Sequence, residues 1–136
     1  PERWPELVEE AFALMHEKRI IPAATLLIGV PGEDDEDILR TIELVERLRP
    51  YRSLIIPMYF VPMGAFKDRD WYRKEEITGV RRELMALCLK HSLKWAVDIL
   101  DKFYIKEWYL LPVKLFIRGL LWLYKRVAKK EGIEVD

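Results

Sequence analysis

Five consecutive carboxylates, Glu33 to Asp37, directly follow the turn Gly29-Val-Pro-Gly32. Calcium favours such oxygen ligands, and a glycine-rich turn at a helix start can bind phosphate. However, the EF-hand spacing, the Walker pattern and G-x-G-x-x-G are absent, and acids directly after the turn would repel phosphate. Acids at a helix N-terminus are also stabilised by the helix dipole. We therefore interpret the acidic run as a solvated helix start, with Asp34 or Asp35 as the N-cap.

The two histidines, His16 and His91, and the single cysteine, Cys88, are further candidates for catalysis or metal binding. Neither histidine has a nucleophile at a recognisable spacing, and no Cys/His group has zinc spacing. His91 and Cys88 lie one turn apart on the apolar stripe of a predicted helix, so we interpret both as core or boundary residues. One cysteine cannot form an intramolecular disulfide, which fits a reducing environment and predicts a cytoplasmic protein.

A short apolar strand, predicted at 23–28, must position the turn that begins at Gly29. Its unbroken apolar run is typical of a strand buried on both faces, as in a parallel sheet covered by helices. A helix at 35–48 and a second strand within 53–61 follow, and Pro57 indicates that this strand is an edge strand or bulged. The pattern predicts a right-handed βαβ unit. Ligands of such folds bind at the carboxyl ends of the strands, so any site should begin at the turn.

The chain changes character after Gly64. A helix near 5–18 precedes the first strand, whereas a polar connector, a long helix at about 75–100 and a last helix from about Pro112 to Lys130 follow the second. We therefore predict an α/β fold for residues 1–66 and an α-helical extension for residues 67–136.

The last helix is amphipathic and basic. Its predicted apolar stripe consists of Val113, Phe116, Ile117, Leu120, Tyr124 and Val127. Ordinary packing against the long helix is the favoured interpretation. Contact of residues 108–130 with an anionic membrane surface is an alternative, since the apolar run is too short to span a bilayer. Nucleic-acid binding is not expected, because basic and aromatic residues are interleaved without a recognised motif.

Composition excludes a disordered chain, because 51% of the 136 residues are hydrophobic and 34% are charged. The net charge is zero, yet residues 1–50 carry 12 acids and 6 bases, while residues 51–136 carry 11 acids and 17 bases. This asymmetry suggests different partners for the two halves. The chain opens at Pro1 in a helix pattern, and we interpret it as a piece of a longer protein. A truncated sheet would expose an edge, which predicts self-association.

Three segments together carry a family resemblance: Thr25-Leu-Leu-Ile-Gly-Val-Pro-Gly-Glu33, the helix end Leu48-Arg-Pro50, and Ile56-Pro-Met-Tyr-Phe-Val-Pro-Met-Gly64. Over roughly residues 5–66 the chain resembles the fifth and sixth strands of the radical S-adenosylmethionine (SAM) barrel. The Gly-x-Pro-Gly-Glu turn is most similar to that of methylthiotransferase-like and cobalamin-associated members. The resemblance implies a partial βα barrel in which a 4Fe–4S cluster cleaves SAM, and the parent protein would be an oxidoreductase, with cobalamin as a further cofactor in some members.

The chain lacks the C-x-x-x-C-x-x-C loop that holds the cluster in this family. The resemblance therefore implies a C-terminal fragment that is not catalytic alone and whose partner is the N-terminal remainder of the same protein. It would supply the wall beside the SAM adenine, with Leu27 or Ile28 against the ring, the turn at its edge and strand-end backbone groups. The implied cofactor-binding residues are Leu27, Ile28, Gly29, Pro31, Gly32, Tyr59, Phe60 and Val61. The helical extension would cover the barrel or recognise substrate. Two other classes remain open: a non-catalytic helical interaction module and a membrane-surface adaptor.

Overall fold

Two parallel strands, β1 (Ala23–Ile28) and β2 (Leu54–Tyr59), form the sheet in the computed structural model, which describes residues 3–66, 79–104 and 111–130. Ala23 pairs with Leu54 at one end of the register and Ile28 pairs with Tyr59 at the other. Helix α2 (Asp35–Leu48) connects the strands. The predicted parallel βαβ unit is confirmed.

Three further α-helices lie within the described residues: α1 (Trp4–Glu17), α3 (Val80–Ile99) and α4 (Leu111–Lys130). A 3₁₀ turn at Gly64–Phe66 follows β2, and a π-helical turn at Leu100–Tyr104 continues α3. The mixed α/β fold class is confirmed. The connector predicted at 67–74 and the first predicted turn of α3 lie outside the described residues.

The acidic run forms the start of α2, as the sequence predicted. An Asp34 carboxylate oxygen accepts the Asp37 N–H at 2.9 Å, and an Asp37 carboxylate oxygen accepts the Asp34 N–H at 3.3 Å. This reciprocal capping box satisfies two backbone donors that the first turn leaves without helical partners. The acids therefore fix where α2 begins.

The core lies between one face of the sheet and helices α1, α2 and α3. Its buried members are Phe12, Ile28, Ile38, Val45, Leu48, Ile55, Leu84 and Cys88. Because Leu84 and Cys88 belong to α3, this helix shares its core with the βαβ unit rather than standing apart from it. The interpretation of Cys88 as a buried hydrophobic residue is confirmed.

The prediction that β1 is buried on both faces is wrong among the described residues. Burial alternates along the strand, and Leu27 keeps 55% of its surface exposed while Ile28 keeps 1%. All three core helices pack on the side of Ile28 and Ile55, and Leu27, Ile56 and Met58 on the other side stay about half exposed. Tyr124 of α4 borders a cavity that Ile56 also lines. We call this second side the open face; it consists of Ala23, Thr25, Leu27, Leu54, Ile56 and Met58.

Helix α4 contacts α3, but with a different face from the one predicted. Phe116 and Leu120 of the predicted stripe are 68% and 50% exposed, whereas Ala128 is buried. Asp101 after α3 binds Lys114 at 3.0 Å and Arg118 at 3.1 Å. These ion pairs turn the Lys114 side of α4 towards the protein, so most of the apolar stripe points away from it.

Candidate functional site

The turn after β1 owes its shape to two glycines. Gly29 has φ 80° and Gly32 has φ 92°, a backbone region that other residues adopt at a cost. Gly29 is buried, while Pro31 and Gly32 are exposed. A Cβ atom on Gly32 would meet nothing within 4 Å, so only its backbone conformation requires glycine there. The turn therefore presents a small, exposed tip at the carboxyl end of β1.

The Glu33 side chain is hydrogen-bonded to the first residue of the turn. Its carboxylate accepts the Gly29 N–H at 2.8 Å, and the same oxygen lies 3.8 Å from the Arg81 guanidinium. Arg81 also binds Asp35 at 2.7 Å with a side chain that is only 10% exposed. One arginine from α3 thus ties the turn to the start of α2. The Gly29 N–H is already occupied, so a ligand at this turn meets side chains rather than this amide.

Leu27 and Ile28, the two residues expected beside a ligand, lie on opposite sides of the sheet. Ile28 packs in the core, while Leu27 lies on the open face beside Met58, its partner in the register. Ile56 and Met58 are 46% and 50% exposed. Of the two candidates, therefore, Leu27 alone is accessible from the open face, where these three side chains form an apolar surface.

The end of β2 supplies the other predicted residues. The Phe60 N–H donates to the Ile28 carbonyl at 2.8 Å, which extends the pairing of the strands. The Tyr59 hydroxyl contacts the Met85 sulfur on the core side, and burial raises the pKa of this phenol. Val61 is 49% exposed. The backbone beyond Phe60 is therefore the accessible part of this strand end.

The outer edge of β2 is closed. Ser92 of α3 accepts the Ile55 N–H at 2.9 Å and donates to the Ile55 carbonyl at 2.8 Å. Two residues further along the same edge, Pro57 has no N–H to offer. The sequence predicted an edge strand from Pro57, and this is confirmed for the described sheet. A further strand would find the Ile55 groups occupied and the Pro57 N–H missing.

The outer edge of β1 is different. The Leu54 N–H donates to the carbonyl of Pro22, which directly precedes β1, and the Phe60 N–H donates to the carbonyl of Ile28. The backbone groups of Pro22 and Ile28 therefore face β2. Because backbone groups alternate along a strand, Thr25 and Leu27 direct theirs to the opposite edge. No strand among the described residues pairs with that edge. We call it the open edge of β1.

His91 and Ser53 form a buried pair that the sequence did not reveal. His91 Nε2 lies 2.8 Å from Ser53 Oγ, and the two residues are 4% and 0% exposed. Burial, reinforced by Lys94 and Arg49, lowers the pKa of His91 to about 4. Burial also raises the pKa of the Cys88 thiol to about 11. Without access for a substrate, neither the His91–Ser53 pair nor the thiol can serve as a nucleophile.

Two kinds of site are absent from the part of the chain that the structure describes. Residues 3–66, 79–104 and 111–130 contain no group of three His, Cys, Asp or Glu side chains placed to hold a metal ion. None of the described helices is long and apolar enough to cross a membrane.

Comparisons with protein-family models, with curated proteins and with solved structures each found no match. Within the described residues, the open face, the open edge and the turn between β1 and α2 are the features that bear on function.

Proposed function

We propose that this chain is the C-terminal wall of a radical SAM barrel and that its open face lines the lumen beside bound SAM. One observation carries the proposal: the two edges of the sheet are unequal. Ser92 and Pro57 close the edge of β2, whereas the edge of β1 that holds Leu27 is open. Further strands can pair with such a sheet only beside β1, as expected for the last two strands of a longer parallel series.

The position of the helices relative to the sheet supports the same proposal. In a βα barrel the helices form an outer ring and the inward side chains fill or line the interior. Helices α1, α2 and α3 all lie on one side of the described sheet, and the apolar side chains of Leu27, Ile56 and Met58 lie on the other. An apolar wall with few polar groups is typical of small-molecule sites. Leu27, next to the turn, is the residue that we assign to the adenine ring of SAM.

The catalytic chemistry belongs to the remainder of the parent protein. The chain has one cysteine, Cys88, and this residue is buried in the core. A 4Fe–4S cluster requires several thiolates, so in this proposal the N-terminal remainder supplies the cluster while residues 3–66 supply the wall. Pairing along the open edge of β1 would join the two parts.

The coding region upstream of Pro1 provides the first test. We expect it to encode a C-x-x-x-C-x-x-C loop, and a complete upstream sequence without one would overturn the proposal. In the parent protein, Leu27→Gln should weaken SAM binding about tenfold, which corresponds to about 1.4 kcal/mol. Leu39→Gln is the matched control, because Leu39 is a similarly exposed leucine (47%) on α2. Equal SAM affinity in both variants would show that the open face does not touch SAM.

A second candidate function is contact with an anionic membrane surface through α4. The exposure of Phe116, Trp122 and Tyr124, at 68%, 61% and 55%, favours it. The helix carries six Lys and Arg residues and no acid. Apolar and aromatic side chains combined with basic ones are typical of helices that lie in the membrane interface. Sedimentation with vesicles that contain phosphatidylserine tests this function.

A further inference from the structure

A cavity of about 410 Å³ lies between β2, α3 and α4. Strand β2 and helix α3 each contribute three residues to its lining: Ile55, Ile56, Pro57, Met85, Leu89 and Ser92. Tyr124 of α4 lines it as well. The residues from α3 are four and three positions apart, so they share one face of the helix and span about 10 Å along its axis. The cavity therefore follows α3 for about two turns, beside the outer edge of β2.

The lining of this cavity is mainly apolar, and its polar groups are largely engaged. The Ser92 hydroxyl both accepts from and donates to the Ile55 backbone, and Pro57 has no N–H to offer. The remaining lining side chains of β2 and α3 are aliphatic, apart from the thioether of Met85. A polar group placed here would lose its water without gaining a matching partner, whereas an alkyl chain gains free energy by burial. The cavity thus favours an apolar ligand.

The length of the cavity limits the alkyl chain that it can hold. The hydrocarbon core of a bilayer is about 30 Å thick, so one acyl chain of a bilayer lipid extends about 15 Å. The wall that α3 provides extends only about 10 Å. The cavity volume of about 410 Å³ is within the range of small-molecule sites. The cavity therefore matches a chain of medium length rather than a whole chain of a bilayer lipid.

The charges of α4 indicate the head group. Tyr124 is 55% exposed, so the cavity meets solvent on the side of this helix. Four basic residues and no acid follow Tyr124 in α4: Lys125, Arg126, Lys129 and Lys130. None of the described lining residues is charged. The solvent side of the cavity is therefore next to a positive potential, which favours an anionic head group that stays in water.

We propose that this cavity binds a medium-chain fatty acid. The alkyl chain lies between β2 and α3, in contact with Ile56 and Leu89, and the carboxylate remains in water beside the basic end of α4. Leu27, the residue assigned to the adenine of SAM, is not among the described lining residues. The fatty-acid site therefore does not depend on the radical SAM proposal.

A series of fatty acids tests the length of the site by calorimetric titration of the 136-residue chain, with each probe below its critical micelle concentration. From hexanoate to octanoate, each added CH₂ group should tighten binding about fourfold, which corresponds to about 0.8 kcal/mol. The gain should end by dodecanoate, because further carbons lie outside the cavity. A gain that continues through tetradecanoate would indicate adsorption to an exposed surface and would contradict the proposal. No binding of decanoate at millimolar concentration would overturn it.

The head group is tested with decyltrimethylammonium, which has a chain of the same length as decanoate and the opposite charge. It should bind at least about fivefold more weakly than decanoate at low salt, and the difference should shrink at high salt. Equal affinity of the two probes at low salt would contradict the assigned position of the carboxylate.

A cavity-filling variant tests the same site from the protein side. Leu89→Trp occupies part of the cavity without removing apolar surface, and it should weaken decanoate binding at least about tenfold. Leu39→Trp is the matched control, because Leu39 lies on α2 and does not line the cavity. Leu27→Gln should also leave the Kd unchanged, which separates this site from the open face beside SAM. An unchanged Kd in Leu89→Trp would contradict the proposal.

Nuclear Overhauser contacts in the parent chain decide the position of the ligand even if Leu89→Trp does not fold. We expect contacts from the decanoate CH₂ protons to the methyl groups of Ile56, Met85 and Leu89. Contacts to Leu120 instead would place the ligand on the exposed stripe of α4 and overturn the proposal.

Discussion

The Glu33 carboxylate and the Gly29 N–H are joined by a hydrogen bond of 2.8 Å across the turn that follows β1. The bond occupies the amide at the point where the strand ends, and it places the carboxylate 3.8 Å from Arg81 of α3. A local turn and a helix distant in sequence thus depend on one side chain. The exposed tip at Pro31 and Gly32 is held by this arrangement rather than by packing of its own.

Glu33→Ala should lower the free energy of unfolding by about 1.5–3 kcal/mol, the range for hydrogen bonds to charged groups. The substitution removes the acceptor of the Gly29 N–H and leaves the largely buried Arg81 with fewer acidic neighbours. Glu36→Ala is the matched control: Glu36 pairs with Arg40 on the surface of α2, both side chains are 70% exposed, and the loss should stay below about 0.5 kcal/mol. Urea unfolding measures both values, and equal losses would contradict the assigned role of Glu33.

Alanine substitutions at two glycines with equally open surroundings should change the stability of the chain in opposite directions. A Cβ atom would meet nothing within 4 Å at either Gly32 or Gly119, but Gly32 has φ +92° and Gly119 lies inside α4. Gly32→Ala should therefore destabilise the chain by about 1–2 kcal/mol through backbone strain. Gly119→Ala should stabilise α4 by up to about 1 kcal/mol through helix propensity. Thermal melts and helical circular dichroism distinguish the two, and a neutral Gly32→Ala would show that the turn is not constrained.

Local patterns were enough to predict the elements of the fold. The start of α2 follows from Asp34 and Asp37, whose capping box joins residues three apart. Strand β1 and the edge position of β2 likewise follow from a short apolar run and from Pro57. Each of these signals is carried by neighbouring residues, so the sequence displays it directly.

Contacts between distant residues were not predictable in the same way. Ser53 and His91 are 38 positions apart, and no spacing rule brings a strand residue to one particular turn of a later helix. The rotation of α4 depends on Asp101, which binds Arg118 17 positions later. Hydrophobic periodicity identifies which residues of α4 form an apolar stripe. It does not show which side of the helix the ion pairs hold against the rest of the protein.

The stability of the chain should fall as the pH is lowered through the titration of His91. The folded pKa of His91 is about 4, below its ordinary value of 6.5, so below pH 6.5 the unfolded chain binds a proton that the folded chain does not. The stabilisation is complete above pH 6.5 and is lost as the pH falls towards 4. Between pH 7 and pH 5 the loss amounts to about 2 kcal/mol.

His91→Gln should flatten this part of the stability profile, because glutamine does not titrate. His16→Gln serves as the control: His16 Nδ1 accepts the Arg52 N–H at 2.9 Å, so this histidine is also hydrogen-bonded but belongs to α1. Urea unfolding at pH 7, 6 and 5 gives the three profiles. An unchanged slope in His91→Gln would assign the acid sensitivity to other groups.

The exposed stripe of α4 leads to a prediction that opposes the one from the sequence alone. If Phe116 and Leu120 packed on α3, each change to alanine would cost about 2–5 kcal/mol. They are 68% and 50% exposed, so the double variant should lose less than about 1 kcal/mol. Leu121→Ala, on the half-buried side of the helix, should cost more than either single change.

The double variant with Phe116 and Leu120 changed to alanine also tests whether the exposed stripe of α4 binds a membrane surface. The parent chain should sediment with vesicles that contain phosphatidylserine at low salt and much less at high salt. Each basic residue near the head groups contributes about 1 kcal/mol, which salt screens within a Debye length. Replacing Arg126, Lys129 and Lys130 by glutamine should release the chain, and the Phe116 and Leu120 double variant should bind more weakly at every salt concentration. Undiminished sedimentation of the double variant would assign binding to charge alone, and no sedimentation of the parent chain would exclude this role for α4.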